Sequence, residues 1–170
     1  AACTIRGDTE PSLKQDNGYS AELTPHWITA CANRHERYRQ CARITSEIAK
    51  RVAPADITLT TRSPEKLTAE AEAGMRVVFA DYRDRASLDA AFAGSDTLML
   101  ISGLNLLKRV PEHRNAIEAS EQAGITHIVY TSVSGVHPMN RTPSSTEHYA
   151  TEQMLHKSSV NYTALRNQCY

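Results

Sequence analysis

Ile57–Asp81, ITLTTRSPEKLTAEAEAGMRVVFAD, is the stretch whose reading decides the fold. It reads as strand, loop, helix, strand. Ile57, Leu59 and the threonines between them favour a β-strand, because β-branched side chains sit well on a pleated surface. Pro64 suits a first helical turn, where its missing N–H is no loss, and Glu65 adds an acid at the positive end of the helix dipole. A helix over about Pro64–Ala73 then buries Leu67 and small alanines. Gly74 stops it, and Met75–Ala80 forms the next strand.

Arg62 stands at the carboxyl end of the first of these strands and Asp81 at the end of the second. Open parallel sheets bind ligands at the carboxyl ends of their strands. A cation there, with Lys66 close behind, suits the extra phosphate of NADP, whereas NAD calls for an acid on its ribose diol. The alternative is an arginine that merely follows a strand into solvent, and spacing alone leaves both readings open.

Outward from this unit the pattern repeats. Before it, ARITSEIAKRV from Ala42 places Ile44, Ile48 and Val52 at helical spacing, and Pro54 closes that helix. After it, the turn YRDR precedes a short helix, ASLDAAFAG, ended by Gly94. TLMLIS is an apolar run of the kind found in strands buried on both faces. A long helix over about Val110–Ala123 is capped by Gly124, and THIVYTS follows as a strand. A loop over Val133–Ser145, a helix over Thr146–His156 and a last strand over Val160–Leu165 complete the chain. Strands alternating with helices predict an α/β fold, a doubly wound parallel sheet of Rossmann type.

The first 41 residues read differently. They lack periodicity, mix charges and carry isolated Tyr19, Trp27 and Tyr38. The expected organisation is an atypical segment over residues 1–41, disordered or frame-shifted, followed by an incomplete dinucleotide-binding domain over residues 42–170.

Composition narrows the classes. The chain has 170 residues, enough for one domain, with 19 basic and 19 acidic residues. Net charge is zero, so there is no basic footprint for nucleic acid. Apolar runs such as Thr97–Ile101 are too short to span a bilayer, and no signal-peptide pattern is visible. Cys3, Cys31, Cys41 and Cys169 form no CxxC pair and read as reduced thiols of a cytoplasmic protein. His26, Cys31, His35 and Cys41 match no common zinc spacing, so no metal is expected.

Several segments recur together, in this order and near these intervals, in one group: RSPEK, ADY (Ala80–Tyr82), LMLIS, EHRNAIEASEQAGITHIVYTS, EHYATEQML and YTALRN. On these residues the chain resembles the NmrA-like family of atypical short-chain dehydrogenases over about Ala42–Tyr170. Within that family it is similar to the NADPH-dependent quinone oxidoreductase type. The resemblance implies NADP(H) as cofactor and a small-molecule acceptor such as a quinone. It implies that Arg62 and Lys66 hold the adenosine phosphate and that Asp81 and Tyr82 lie beside the adenine. Ile101, Ser102 and Gly103 are then expected along the pyrophosphate and ribose, with Tyr130, Thr131 and Ser132 near the nicotinamide. Glu147 and Tyr149 are expected to flank the substrate. A homo-oligomer or a protein partner remains open. So do the bland readings, in which Ser102 and Ser132 merely finish strands and Glu147 is an exposed helix acid.

Three departures from the family pattern bear on activity. No glycine occurs between Gly18 and Gly74, so the glycine-rich loop and the strand before it are expected to be absent. Tyr149 is followed four residues later by Gln153, so no lysine is placed to lower the tyrosine pKa, although many atypical members also lack this pair. Family members also continue beyond the point that Tyr170 matches. A shifted reading frame or misplaced exon boundary is one hypothesis for the missing glycines: read one base later, codons for Asn33–Cys41 permit Thr-Gly-Thr-Asn-Gly-Thr-Gly-Ser, whose GxxGxG spacing differs from the family's GxxGxxG. Arg34, Arg37 and Arg39 would each become glycine if encoded by CGG. The expected function is therefore that of an NAD(P)H-binding protein derived from a quinone or carbonyl reductase, with catalysis impaired and no catalytic residue assigned. The alternatives are a non-catalytic NADP-sensing regulator and a non-functional fragment.

Overall fold

The computed structural model describes residues 27–30, 35–103 and 105–168, with side chains from Cys41 onward. Strand β2 (Ile57–Thr61) has Ile57, Leu59, Thr60 and Thr61 buried, as expected for an inner strand. It pairs in parallel with β3 (Arg76–Phe79), Leu59 lying beside Val77. The predicted helix between them is broken in two. Pro64–Lys66 forms a 3-10 turn and α2 covers only Thr68–Glu72. Leu67, at the junction, is the buried anchor of this connection. Gly74 adopts φ 94°, a left-handed conformation that glycine reaches without Cβ strain.

On the other side of β2 lies β1 (Trp27–Ala30), pairing Trp27 with Ile57 and Ala30 with Thr60. The same four residues pair with β4 (Thr97–Leu100), setting Ile28 beside Leu98. The expectation that the first strand is missing is therefore corrected. Trp27–Ala30 supplies it, at the centre of the sheet. The strand escapes a reading by pattern because WITA is short and follows a polar stretch. Its place is set by neighbours on both sides rather than by its own length.

The helix expected from Ala42 begins earlier, as α1 (His35–Ile48). Pro54 opens a 3-10 turn, Pro54–Asp56, that feeds β2. Cys41 is disulfide-bonded. That corrects the expectation of four reduced thiols, because cysteine pairing follows tertiary proximity rather than sequence spacing. The remainder of the 1–41 segment lies outside the described residues, as do His26, Cys31 and the side chain of His35.

The second half is built as read, with edges shifted by a few residues. Helix α3 (Arg85–Phe92) starts at Asp84, whose side chain accepts the Ser87 amide. Helix α4 (Arg109–Ala123) ends on Gly124 at φ 75°. Strand β5 (His127–Val133) follows, then α5 (Pro143–Lys157), which begins at Pro143 rather than Thr146 under a Thr142 cap. Strand β6 (Asn161–Asn167) ends the described chain. The sheet runs β3-β2-β1-β4-β5-β6, every pair parallel. This is the doubly wound dinucleotide-binding order.

Alternate residues of the inner strands face opposite layers. Leu98, Leu100, Ile128 and Tyr130 join one core with Leu88, Phe92, Ala116, Ile117 and Leu155 of α3, α4 and α5. Met99 and Ile101 face the other way, packing with Cys41 and Ile44 of α1 and with Val129 and Leu165. A third cluster joins Ile57, Leu59 and Leu67 to Ile48 and Val52. Burying one such Leu, Ile or Phe is worth about 1.5–3 kcal/mol. With helices on both faces, the carboxyl ends of β1 and β4 open between the two halves of the sheet, where strand order reverses.

Candidate functional site

The segment Ile101–Gly103 leaves β4 at that reversal point, and side chains from four directions hold its backbone. The Tyr82 hydroxyl donates to the Ile101 carbonyl at 3.1 Å. The Ser102 amide donates to Thr131 Oγ1 at 2.8 Å. The Gly103 amide donates to His113 Nε2 at 3.2 Å, and the Gly103 carbonyl accepts from Arg109 Nε at 2.8 Å. All three segment residues are buried. A Cβ on Gly103 would meet Glu112 Oε2 at 3.1 Å, so this helix side chain limits what fits there. Glu112 is in turn held by Asn105 Nδ2 at 3.1 Å.

Arg109 is itself clamped. Glu147, on α5, accepts the Arg109 amide at 3.2 Å and lies 3.5 Å from its Nη1. Both side chains are buried, and Arg109 Nη1 and Glu147 Oε2 make no hydrogen bond. Glu147 thus joins the start of α4 to α5 as an internal acid. Tyr149, two residues on, is half-buried.

At the other end of the crevice, Arg62 and Lys66 are exposed directly after β2. Asp81 follows β3 and is engaged by a residue that the motifs did not single out. Arg83 donates its amide to Asp81 Oδ1 at 3.0 Å and its Nη2 to Oδ2 at 2.6 Å. The Arg83 side chain, with burial opposing it, holds the Asp81 carboxyl below the usual range, and the charge of Arg62 adds to this. Two arginines therefore flank one ionised carboxylate at the ends of β2 and β3. Tyr82 turns inward, its hydroxyl spent on Ile101 and its backbone carbonyl on Asn115 Nδ2 at 2.8 Å.

Strand β5 brings Tyr130, Thr131 and Ser132 to its carboxyl end, all buried. Thr131 faces Ser102. Tyr130 Oη lies 2.6 Å from His148 Nδ1 of α5. Ser132 donates to Glu152 Oε1 at 2.6 Å. Glu152 also receives Arg166 Nη2 at 2.7 Å on its other oxygen, and Arg166 reaches it from β6. Burial pushes the Glu152 carboxyl up, but the Arg166 and Ser132 hydrogen bonds and the Arg166 charge outweigh it and hold the acid below its usual range.

Motif reading missed Arg83, Arg109, His113, Glu152 and Arg166. One signal was present: Arg109 and His113, Glu147 and Thr151, and His148 and Glu152 are each four apart and so share helix faces. What those faces meet is set by packing. The segment between β1 and α1, where a glycine-rich loop would lie, falls outside the described residues. Among the described residues no group of three or more His, Cys, Asp or Glu is arranged to hold a metal ion. Among the same residues no helix is long and apolar enough to cross a membrane.

A family profile described as NAD(P)H-binding matches residues 40–169. Quinone oxidoreductase 2 of Escherichia coli is 38% identical over 129 residues, covering 75% of this chain and 44% of that protein. An NmrA-like family domain-containing oxidoreductase of Aspergillus flavus is 28% identical over 122 residues, covering 68% of this chain and 40% of its own length. The crystal structure of the Escherichia coli NADPH-dependent quinone oxidoreductase complexed with NADPH superposes with a TM-score of 0.74 at 33% identity. It covers 83% of this chain and 48% of that one. A Citrobacter triphenylmethane reductase complexed with NADP(H) superposes with a TM-score of 0.77 at 27% identity, covering 85% and 50%. The chain spans less than half the length of these curated relatives.

Proposed function

The chain belongs to the NAD(P)H-binding family, and from that premise we propose that it binds NADPH in the crevice at the carboxyl ends of β1 and β4. We infer an origin in NADPH-dependent reduction of a quinone or related carbonyl acceptor. The observation that carries the reading is the held segment Ile101–Gly103. Its backbone is fixed by Tyr82, Thr131, His113 and Arg109, and a preorganised surface loses less entropy when a ligand docks. Arg62 and Lys66 supply the charge for an adenosine phosphate. Arg83 neutralises Asp81, the nearby acid that would otherwise repel such a phosphate.

Bound NADPH would supply the hydride, transferred directly to the acceptor. The residues of this chain bind and orient the cofactor. Tyr130 and Ser132 belong at the nicotinamide end, yet both hydroxyls have internal partners, His148 and Glu152. That observation favours a second reading, an NADP-sensing regulator that binds without turnover.

One experiment separates the two. The chain is titrated with NADPH by calorimetry, then assayed for NADPH oxidation with a panel of quinones. Binding with oxidation supports the reductase, binding alone supports the sensor, and no binding at millimolar NADPH refutes the site.

A further inference from the structure

We infer that His113 is a positioning residue for the bound dinucleotide: it holds the Gly103 amide so that the backbone after β4 keeps one cofactor-facing shape. The inference rests on the proposed function.

His113 is wholly buried and lies in the second turn of α4, one turn after Arg109. Because the Gly103 N–H points at Nε2, that nitrogen is the unprotonated one. The ring proton is then on Nδ1, directed at Thr151 Oγ1 at 3.0 Å. The Thr151 hydroxyl in turn donates to the Glu147 carbonyl at 2.9 Å. Every donor in this run from Gly103 to Glu147 has an acceptor, and the order fixes the tautomer. Second protonation of the ring would set an N–H against the Gly103 N–H.

The ring plane is fixed too. Tyr82 packs against it edge-on at 6.2 Å and 87°, and Tyr130 at 5.4 Å and 77°. Tyr82 is the residue that holds the Ile101 carbonyl. One imidazole therefore joins the segment after β3, the segment after β4, strand β5 and helix α5. A buried position that needs an acceptor on one edge, a donor on the other and no net charge is met by neutral histidine and by few other side chains. Arg109 holds the next peptide group, on the other side of the Gly103 Cα, through the Gly103 carbonyl. Together they keep Gly103 from rotating, and the adjoining Ser102 keeps its amide on Thr131.

Three substitutions test this. His113→Phe keeps the ring volume and removes the acceptor. His113→Gln keeps an acceptor at the ε position. Thr151→Val keeps volume but removes the partner of Nδ1, and serves if His113→Phe does not fold. Each is measured for exchange of the Gly103 amide, for thermal stability without cofactor and for NADPH affinity. His113→Phe should lose Gly103 protection and bind NADPH on the order of tenfold more weakly, the loss of about one hydrogen bond. Thr151→Val should lower both in the same direction. His113→Gln should restore affinity to within about threefold of the original chain, even where its melting temperature is as low as that of His113→Phe. A role in packing alone would make affinity follow melting temperature across the set, and that result overturns the inference. So does an unchanged Gly103 amide in His113→Phe. Absence of NADPH binding by the original chain refutes the proposed function instead, and Gly103 exchange then still decides whether His113 holds the segment.

Discussion

Ser132 and Glu152 lie 20 positions apart in sequence and share a 2.6 Å hydrogen bond at the carboxyl end of β5. The serine proton is committed to the acid, and Arg166 occupies the acid from the other side. Such an arrangement binds β5, α5 and β6 together through one buried carboxylate.

Glu152→Gln should therefore destabilise the fold by about 1–3 kcal/mol at neutral pH, the cost of weakening charge-assisted hydrogen bonds at a buried acid. The pH dependence has a definite sign. The Glu152 carboxyl is held below its usual range in the folded chain, so its contribution is present above the unfolded pKa. It is lost as pH falls through the depressed folded value. The stability gap between the two forms should shrink as the solution is made acid below the ordinary carboxylate range. Urea unfolding at a series of pH values measures it, and a gap that stays constant would count against the ion pair.

Arg62→Glu should remove the preference for NADPH over NADH. A charge-assisted contact to phosphate is worth about 1.5–3 kcal/mol, so NADPH affinity should drop by roughly tenfold to a hundredfold. NADH affinity should change little. Parallel titrations with both dinucleotides check this, and equal affinities of the original chain for the two would refute it.

The amides of Ile28–Ala30 should exchange as slowly as those of Leu98–Leu100. Strand β1 is hydrogen-bonded on both sides, between β2 and β4, and central strands open only with the whole domain. Fast exchange at Ile28–Ala30 beside slow exchange at Leu98–Leu100 would contradict the strand order.

Phe92→Ala should cost about 3–5 kcal/mol, because the side chain is fully buried among Leu88, Leu98 and Ala119 on the α3–α4 side of the sheet. Denaturant midpoint is the measurement. A loss below about 1 kcal/mol would mean that this side of the sheet is poorly packed.

NADPH should bind on the order of a hundredfold more weakly than to a relative with a glycine-rich loop. No glycine lies between Gly18 and Gly74, and each lost backbone contact to the pyrophosphate costs about 1.5–3 kcal/mol. Calorimetry beside a relative whose sequence carries such a loop gives the ratio. Affinity within tenfold would show that another group in this chain cradles the phosphates.

How much of this was legible without coordinates depends on the range of the interaction. TLMLIS, THIVYTS and the glycines at 74 and 124 announce strands and helix ends, because apolar runs and left-handed backbone are properties of a few neighbouring residues. The βα alternation they mark was sufficient for the fold, and Arg62 at the end of β2 was sufficient to nominate a phosphate site. Strand β1 was not legible. WITA carries too little local signal, and only simultaneous pairing with Ile57–Thr60 and Thr97–Leu100 makes it the centre of the sheet. The same holds for the site's inner structure. His113 meets Gly103 across 10 positions and Thr151 across 38, and Arg109 meets Glu147 across 38. A helix face can be read from residues four apart. Which buried acceptor it faces is decided only when α4 and α5 pack side by side and every buried polar atom must find a partner or go without.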